Sequence, residues 1–451
     1  MNADAIGDGL TIVALSTPLG RGALAVVRLS GVAVSSIAAK LLIPVPTKLR
    51  HATRCTVRGH DGSTIDDAIA VLYVAPHSFT GEDLLEITTH GGMIAPTAVV
   101  AAAIAAGARA AQPGEFTRRA VLNGKLDLLQ AEAIGDLIDA RSSAAHKLAL
   151  RQLDGGLSRR IDELRAQLLL LEAQLAYDID FPEEDDGPIS RERIVSSAES
   201  VIASLESLLN SGEQGALVHD GALVVLAGAP NVGKSSLFNA LLGEARAIVT
   251  EIPGTTRDAI EAVLDMPQWP LRLVDTAGLR ETNDLVERLG IEASSRYLRR
   301  AHVVLACIDA KEGFEVVEKL KAYTDAPIIT VRTKSDLVSE REHISADVFV
   351  SSNTGEGIRS LLHAVEDRLS GLHGSLPTDA PLLTRVRHHA AVRSATEEMR
   401  HFLAAWRDER LPAAVAATHI HEAAAELSTL IGDVKTDDIL DVVFRNFCVG
   451  K

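Results

Sequence analysis

The segment from residue 228 to residue 235 constrains the fold of this chain more than any other. It reads GAPNVGKS, which fits the phosphate-loop pattern GxxxxGK[ST], and it lies between the strand-like run ALVVLA and an apolar helical run. Its glycines let the backbone wrap around a phosphate, and the N–H groups at the helix start supply a positive field. We expect Lys234 to reach the β- and γ-phosphates and Ser235 to ligate Mg²⁺.

Apolar strand-like runs alternate with helical stretches around this loop, from about residue 219 to residue 371. This alternation is typical of a doubly wound, mainly parallel sheet. The predicted strands are Ala222–Ala227, Leu271–Val274, His302–Ile308, Ile328–Val331 and Val348–Val350.

The strand LRLV ends at a DTAG motif, formed by Asp275, Thr276, Ala277 and Gly278. An Asp at this position can hold the Mg²⁺ shell, and the Gly278 N–H can bind the γ-phosphate. Small GTPases of the Ras type carry Gln directly after this glycine to orient the attacking water. Here the position is Leu279, which has no hydrogen-bonding group, so catalysis must recruit another residue, an ion or a partner.

Two further motifs favour guanine over adenine. The sequence TKSD follows the strand IITVR where GTPases carry NKxD, and Asp336 can accept both the ring N–H and the exocyclic amine of guanine. Ser351, Ser352 and Asn353 end the next strand, where GTPases carry a loop that contacts guanine through backbone N–H groups. Thr333 departs from the usual Asn, and Lys334 is expected to lie along the base.

Composition limits the remaining classes of function. The chain has 451 residues, a length that suggests about three domains. Its net charge of −16 disfavours binding of nucleic acid by bulk electrostatic attraction, although a local basic patch is still compatible with this charge. Three scattered cysteines form no CxxC pair, which argues against a disulfide framework or a zinc site. The start of the chain lacks the pattern of a signal peptide, and no run is long enough to span a membrane. We therefore expect a cytoplasmic protein.

The segments on either side of residues 219–371, here called the nucleotide unit, differ in sequence pattern from that unit and from each other. Residues 1–125 mix strands, such as Ala23–Leu29 and Ala68–Val74, with an Ala-rich helix, which predicts an α/β or α+β domain. Residues 126–218 and 372–451 are helical, with an apolar stripe from Leu153 to Leu175 that favours a buried bundle seam. We expect these two parts to pack together and the unit 219–371 to be inserted between them. The acidic run 181–188 fits a solvated loop better than a metal site.

Motifs along nearly the whole chain together resemble the MnmE (TrmE) family of tRNA modification GTPases. They are TPLGRGALAVVRLSG, SFTGEDLLEITTHGG and QPGEFTRRAVLNGKLDLLQAEAIGDLIDA in the amino-terminal part, then GAPNVGKSS, TEIPGTTRD and DTAGLRETNDLVERLGIE, and finally FCVGK at the end. Phosphate-loop motifs alone fit many GTPases, and the flanking motifs narrow the choice to this family.

The resemblance implies a GTPase activated by K⁺-dependent dimerisation of its nucleotide domains. K⁺ would be held by Asn231 and by oxygens of Thr250, Ile252 and Thr255, and could stand in for an arginine finger. Thr256 would complete the Mg²⁺ shell with Ser235. Glu287 would orient the water, although without the resemblance it is better explained as an exposed carboxylate at a helix start. The expected GTP contacts are Asn231, Val232, Gly233, Lys234, Ser235, Ser236, Thr250, Glu251, Ile252, Pro253, Gly254, Thr255, Thr256, Asp275, Thr276, Ala277, Gly278, Thr333, Lys334, Asp336, Ser351, Ser352 and Asn353.

The resemblance also implies a site for 5-formyl-tetrahydrofolate, or a related tetrahydrofolate one-carbon carrier, in the amino-terminal domain. Its ligands would be Arg28, Glu86, Lys125 and Lys451. Arg28 and Lys125 suit the glutamate carboxylates of a folate, and Glu86 suits the donor edge of a pterin. Read singly, each of these residues is better explained as a surface charge or an ion-pair partner.

The family further implies a homodimer that forms a heterotetramer with an FAD-containing, MnmG-type partner. Together they would add an aminomethyl or carboxymethylaminomethyl group to C5 of the wobble uridine of tRNA. Cys448 could act as a nucleophile, but its apolar neighbours favour a docked tail. The alternative function is a regulatory or ribosome-assembly GTPase switch.

Overall fold

The computed structural model describes residues 9–180, 190–244, 247–248, 260–275, 295–308, 313–337, 345–375, 380–408, 412–432, 440, 443–444 and 447–450. The chain forms two compact units, one of residues 1–135 with 428–451 and one of residues 136–427. The finer division into three domains made from the sequence stays a prediction.

The first unit is built on a seven-stranded sheet with the strand order β3-β4-β5-β6-β2-β1-β7. Every neighbouring pair is antiparallel except β1 and β7, so of the two classes open from the sequence the α+β class is the one observed. The strands are β1 Ile12–Leu15, β2 Leu24–Ser30, β3 Leu42–Ile43, β4 Thr53–Arg58, β5 Thr64–Tyr73, β6 Leu84–His90 and β7 Arg109–Ala110. The predicted strands near residues 23–29 and 68–74 correspond to β2 and β5.

Alternation along β2 gives the two faces of this sheet different roles. Val27 and Leu29 are fully buried in a core with helices α1 and α2, which span Val34–Leu41 and Ile94–Ala105. Arg28 therefore points to the opposite face, where Phe116 of α3, Glu115–Leu122, is buried with residues of β1. Helix α4, Leu128–Asp139, follows in the chain.

Long helices form much of the second unit. They are α5 Ser143–Leu153, α6 Gly156–Asp180, α7 Arg191–Asp220, α11 Val386–Arg407 and α12 Ala413–Ile431. The predicted leucine stripe is confirmed in α6, where its apolar members from Leu157 to Leu175 are at most 1% exposed, and the remaining member, Leu153, ends α5. Gly155, with a φ of +79°, separates these two helices. The acidic run 181–188 lies outside the described residues.

The nucleotide unit within residues 136–427 contains a second seven-stranded sheet, with the order β14-β13-β12-β8-β11-β10-β9. The strands from β14 to β11 are parallel, and β10 and β9 are antiparallel additions at one edge. This confirms the predicted doubly wound, mainly parallel sheet. The strands are β8 Ala222–Gly228, β9 Ala247–Ile248, β10 Ile260–Leu264, β11 Leu271–Asp275, β12 Val303–Ile308, β13 Ile328–Arg332 and β14 Val348–Phe349, and the helices are α8 Lys234–Glu244, α9 Gly313–Lys321 and α10 Ile358–His373.

Apolar residues cover both faces of this sheet. Along β8 the side chains alternate between a core shared with α8 and α10 and a second core shared with α9. Because both faces of the sheet are buried, its strands are held in place. The loops that follow them therefore occupy defined positions at the carboxyl end of the sheet. Among the described residues, no helix has the length and apolarity that a membrane span requires.

Candidate nucleotide site and a second polar site

The phosphate loop joins the end of β8 to the start of α8 and depends on unusual backbone angles. Gly228 has a φ of +145°, and a Cβ there would lie 2.3 Å from the carbonyl oxygen of Cys307 on β12. Gly233 has a φ of +108°, and Asn231 has a φ of +60°, a value that Asn tolerates better than most residues. The two glycines are therefore required by the turn and by the close approach of β12.

Lys234 begins α8 and turns its ammonium group back into the loop. Its Nζ donates hydrogen bonds to the carbonyl oxygens of Gly228 at 3.0 Å and Ala229 at 2.8 Å, and the residue is 6% exposed. These bonds hold a positive charge among the N–H groups of the loop, where a polyphosphate would be attracted.

Ser235, the second residue of α8, meets Asp275, the last residue of β11. β11 is the parallel neighbour of β8, the strand that precedes the phosphate loop. The Ser235 hydroxyl donates a 2.6 Å hydrogen bond to Oδ2 of Asp275, which is 1% exposed. A hydroxyl and a carboxylate give the hard oxygen donors that Mg²⁺ prefers, so this pair fits the magnesium site that the sequence predicts.

The residues predicted to recognise guanine lie beside the phosphate loop. Thr333, 3% exposed, donates a hydrogen bond from its hydroxyl to the carbonyl oxygen of Val232. The Nζ of Lys334 donates to the carbonyl oxygen of Asn231 at 2.8 Å. Two consecutive side chains after β13 thus bind two consecutive carbonyl groups of the phosphate loop, which fixes the spacing between the two loops.

Asp336 is held in place by the loop that follows β14. Its Oδ1 accepts a 2.7 Å hydrogen bond from the hydroxyl of Ser351, which is fully buried, and Asn353 Nδ2 lies 3.5 Å from Oδ2. The bond from Ser351 is the main cause that lowers the pKa of Asp336 below its ordinary value. The carboxylate form, which the predicted pairing with the two donors of guanine requires, is therefore favoured.

An open cleft of about 440 Å³ brings these groups together, lined by Pro230, Asn231, Gly233, Lys234, Ser235, Ser236 and Lys334. Its lining thus combines Lys234 and Ser235, which follow the phosphate-loop glycines, with Lys334 from the segment after β13. The predicted contacts at Thr250, Glu251, Ile252, Pro253, Gly254, Thr255, Thr256, Thr276, Ala277, Gly278 and Glu287 lie outside the described residues. Of the four predicted K⁺ ligands, the described part of the chain therefore includes Asn231.

A second polar site is centred on the cross-strand pair Arg28 and Glu86, on β2 and β6. Arg28 donates to Oε1 of Glu86 from Nε at 3.0 Å and from Nη2 at 2.7 Å. Its guanidinium lies 5.4 Å from the ring centre of Phe79 and 5.9 Å from that of Phe116. The pair is half-buried. It fits the explanation of each residue as an ion-pair partner, and the assignment of Arg28 and Glu86 to different parts of a folate stays a prediction.

Lys125 reaches the same loop, between β5 and β6, that covers Arg28. Its Nζ donates to the carbonyl oxygen of Pro76 at 3.1 Å, three residues before Phe79. The end of the described chain also docks on this unit, because Ser16 Oγ donates to the Gly450 carbonyl at 3.0 Å. Lys451, which follows, lies outside the described residues.

The carboxyl-terminal segment docks through Phe444 and the partly buried Phe447, as the apolar neighbours of Cys448 predict, whereas Val449 is 53% exposed. Phe444 is 3% exposed and packs in a cluster with Val121, Leu128 and Ala131, whereas Cys448 is an exposed residue. The Gly114 N–H donates to the Cys448 carbonyl at 3.3 Å, so the tail is held through its backbone.

Sequence reasoning missed two interactions at the nucleotide site. One is the contact of Thr333 with Val232, and the other is the support that the Ser351 side chain gives to Asp336. A hydroxyl residue at or near the end of a strand was the available signal for both, because Ser and Thr often bind neighbouring backbone and loop groups.

Comparison with known proteins identifies relatives along nearly the whole chain. The family model described as the MnmE helical domain matches residues 128–448, and the one described as the GTP-binding protein TrmE N-terminus matches residues 11–125. The tRNA modification GTPase MnmE of Aquifex aeolicus is 39% identical over 450 residues, covering 98% of this chain and 99% of that protein. That of Azoarcus sp. is 41% identical over 449 residues, covering 98% of each. The G domain of the T. maritima FeoB iron transporter is 28% identical over 33% of this chain and 98% of that one, with a TM-score of 0.26.

Proposed function

The chain belongs to the MnmE family of tRNA modification GTPases, and from this premise we propose that it binds and hydrolyses GTP within a tRNA modification reaction. The observation that carries the proposal is the placement of Lys234, the Ser235–Asp275 pair and Lys334 around one cleft beside Asp336. These groups match, in order, a polyphosphate, its Mg²⁺ and a guanine base. The part of the proposal that concerns tRNA modification rests on the name that the relatives share, tRNA modification GTPase MnmE.

Hydrolysis requires a water molecule to attack the γ-phosphorus while the bond to the β–γ bridging oxygen breaks, giving GDP and phosphate. Lys234 and the loop N–H groups would stabilise the charge that moves onto the β-phosphate oxygens. Ser235 and Asp275 would hold Mg²⁺, which neutralises β- and γ-phosphate charge when bound. Asn231 would contribute a side-chain oxygen to a K⁺ ion beside these phosphates in a nucleotide-domain dimer, with Glu287 orienting the water.

In the amino-terminal unit we propose a tetrahydrofolate one-carbon carrier as ligand. Arg28 fixes the carboxylate of Glu86 by two hydrogen bonds, so Glu86 can accept hydrogen bonds from the donor edge of a pterin. Lys125, which is exposed, and Lys451 remain available for carboxylates of the ligand's tail. The carbon would pass to C5 of a wobble uridine with an FAD-dependent, MnmG-type partner, in the cytoplasm and as a homodimer.

GTP turnover by the full-length protein tests the first part of the proposal. Lys234→Ala removes the phosphate-loop cation and should reduce the hydrolysis rate by at least about 100-fold. Lys321→Ala is the matched control, because Lys321 is an exposed lysine on α9 that pairs with Glu318 at 2.7 Å. Equal rates for both variants would show that the cleft is not the hydrolytic site.

Calorimetric binding of 5-formyl-tetrahydrofolate tests the second part and separates it from a switch GTPase. Arg28→Ala and Lys125→Ala should each weaken binding, whereas Arg54→Ala should not, because Arg54 is an exposed β4 residue paired with Asp67. Absence of binding by the unmodified chain would remove the main reason to prefer a modification enzyme over a ribosome-assembly GTPase. Mass spectrometry of tRNA from cells that depend on this chain then tests the wobble-uridine product.

A further inference from the structure

Two histidines and a glutamate form a cluster between helices α11 and α12, away from the nucleotide cleft. Glu398 and His401 are three residues apart on α11 and therefore share one face of that helix, and His419 faces them from α12. One ligand atom from each of the three residues lies within 4.8 Å of the other two. The Glu-x-x-His spacing is visible in the sequence, whereas the approach of His419 to these two residues is visible only in the structure.

The side chains converge through their polar atoms. His419 Nδ1 lies 2.7 Å from Oε2 of Glu398, and His401 Nδ1 lies 3.9 Å from Oε1 of the same carboxylate. The two imidazole ring centres are 5.7 Å apart. Each histidine thus presents a ring nitrogen to a different oxygen of one carboxylate, so the three donors surround a common point.

From this geometry we propose that Glu398, His401 and His419 form a binding site for a divalent transition metal, with Zn²⁺ the best match. Two imidazole nitrogens and one carboxylate oxygen are a donor set that zinc uses with a fourth, open position. Ligand distances of about 2.0–2.2 Å require the three side chains to rotate so that their donor atoms turn toward one ion. Mg²⁺ is disfavoured because it prefers oxygen ligands.

Exposure at the cluster suits a site that takes up an ion from solution. The Glu398 and His419 side chains are 29% and 28% exposed, whereas that of His401 is 64% exposed. The ion would therefore enter from the His401 side and meet ligands that are already partly shielded from water. Because His419 and the other two ligands belong to consecutive helices, a bound ion would link α11 to α12.

The test is Zn²⁺ binding by the nucleotide-free, full-length protein, measured by calorimetry with Zn²⁺ alone as the probe. We expect one tight site per chain and a higher Tm for the Zn²⁺-bound protein. His401→Ala and His419→Ala should each weaken this site by at least about tenfold. His421→Ala is the matched control, because it is exposed, two residues from His419 and directed to Glu172 at 3.5 Å.

Glu398→Gln separates a metal ligand from a purely structural ion pair. Gln can still bind His419 but lacks the anionic oxygen, so Zn²⁺ affinity should fall while the Tm of the metal-free protein changes little. Co²⁺ bound in place of Zn²⁺ should give visible absorption bands that His419→Ala abolishes. Absence of a stoichiometric site, or equal binding by His419→Ala and His421→Ala, would overturn the proposal and leave Glu398–His419 as a salt bridge.

Discussion

The buried hydroxyl of Thr333 donates its hydrogen bond to the carbonyl oxygen of Val232, and this bond joins the guanine-recognition loop to the phosphate loop. Thr333 stands where GTPases usually carry Asn. The side chain is shorter, yet it still reaches the phosphate loop and donates to the Val232 carbonyl. The substitution therefore preserves the link between the two halves of the nucleotide site.

Removing that hydroxyl should weaken nucleotide binding. Thr333→Val keeps the shape of the side chain but leaves the Val232 carbonyl without this donor, a cost of about 1–2 kcal/mol, or roughly 5- to 30-fold in GTP affinity. Thr333→Ser should bind GTP nearly as well as the unmodified chain. Fluorescence titration with a labelled GTP analogue measures the difference.

The matched control for this variant is Thr330→Val, on the strand β13 that precedes Thr333. Its hydroxyl donates to Oδ2 of Asp347 at 2.7 Å and not to the phosphate loop, so GTP affinity should stay unchanged. Equal losses for Thr333→Val and Thr330→Val would show that strand stability, not the contact with Val232, sets the affinity.

Exchange of the Asp336 carboxylate should change which base is bound. Asp336→Asn loses one acceptor and gains an amide donor, so GTP affinity should fall about 10- to 100-fold while xanthosine triphosphate, which carries an oxygen where guanine has its amine, binds better. Asp347→Asn, also at an exposed carboxylate near β13, should leave the preference for GTP intact. Competition between the two nucleotides is the measurement, and an unchanged preference in Asp336→Asn would contradict guanine recognition by Asp336.

Dependence of turnover on K⁺ should require the Asn231 side chain. GTP hydrolysis should be much faster in KCl than in NaCl at equal ionic strength, and Asn231→Gly should lose the difference. Gly is the better replacement because it tolerates the φ of +60°, whereas Ala adds strain. Asn210→Ala, at an exposed position on α7, should respond to K⁺ normally. Equal rates in both salts for the unmodified chain would point to an external activator.

The contrast between the two sheets shows what the sequence could and could not predict. Apolar runs along β8, β11, β12 and β13 are long and buried on both faces, so periodicity and motif spacing place Lys234, Ser235, Asp275 and Asp336 correctly. The pairing of Arg28 with Glu86 depends on strand register across 58 residues of sequence, which no local pattern specifies. The sequence offered an ion-pair partner as one explanation for each of these residues, but it did not indicate that they pair with each other.

Stability should fall at alkaline pH because of His219, at the end of α7. Hydrogen bonds to Asp136 at 3.1 Å and then to Asp220 at 2.8 Å raise the pKa of His219 to about 9 from an ordinary value of 6.5. The charged form is bound more tightly in the folded state, so its contribution is complete below pH 6.5 and is lost as the pH rises through 9. We expect a loss of about 2 kcal/mol between pH 6.5 and pH 9.5.

Urea denaturation at several pH values tests this linkage. His219→Gln cannot titrate and should show a flatter decline of unfolding free energy over that range, whereas His363→Gln, at an exposed position on α10, should follow the unmodified chain. Identical pH profiles for all three proteins would mean that His219 is not a source of the decline.

Gly215, inside α7, should be the glycine of the helical region least tolerant of a side chain. A Cβ at this position would lie 2.0 Å from the carbonyl oxygen of Leu383. The Leu383 segment cannot retreat easily, because Ser211 Oγ accepts its N–H at 3.2 Å and Gln152 Nε2 donates to the Leu382 carbonyl at 3.2 Å. Gly215→Ala should therefore lower the free energy of unfolding by about 3 kcal/mol through overpacking.

Gly371→Ala is the matched control, and we expect it to change the free energy of unfolding in the opposite direction. Gly371 also lies inside a helix, α10, but no atom lies within 4 Å of the position that its Cβ would occupy. Ala favours a helix over Gly by about 1 kcal/mol, so this variant should unfold at a slightly higher urea concentration than the unmodified chain. A shift of the same sign in both variants would show that helix propensity outweighs the contact with Leu383. Opposite shifts would establish that α7 needs Gly215 to let the 382–384 segment approach its backbone.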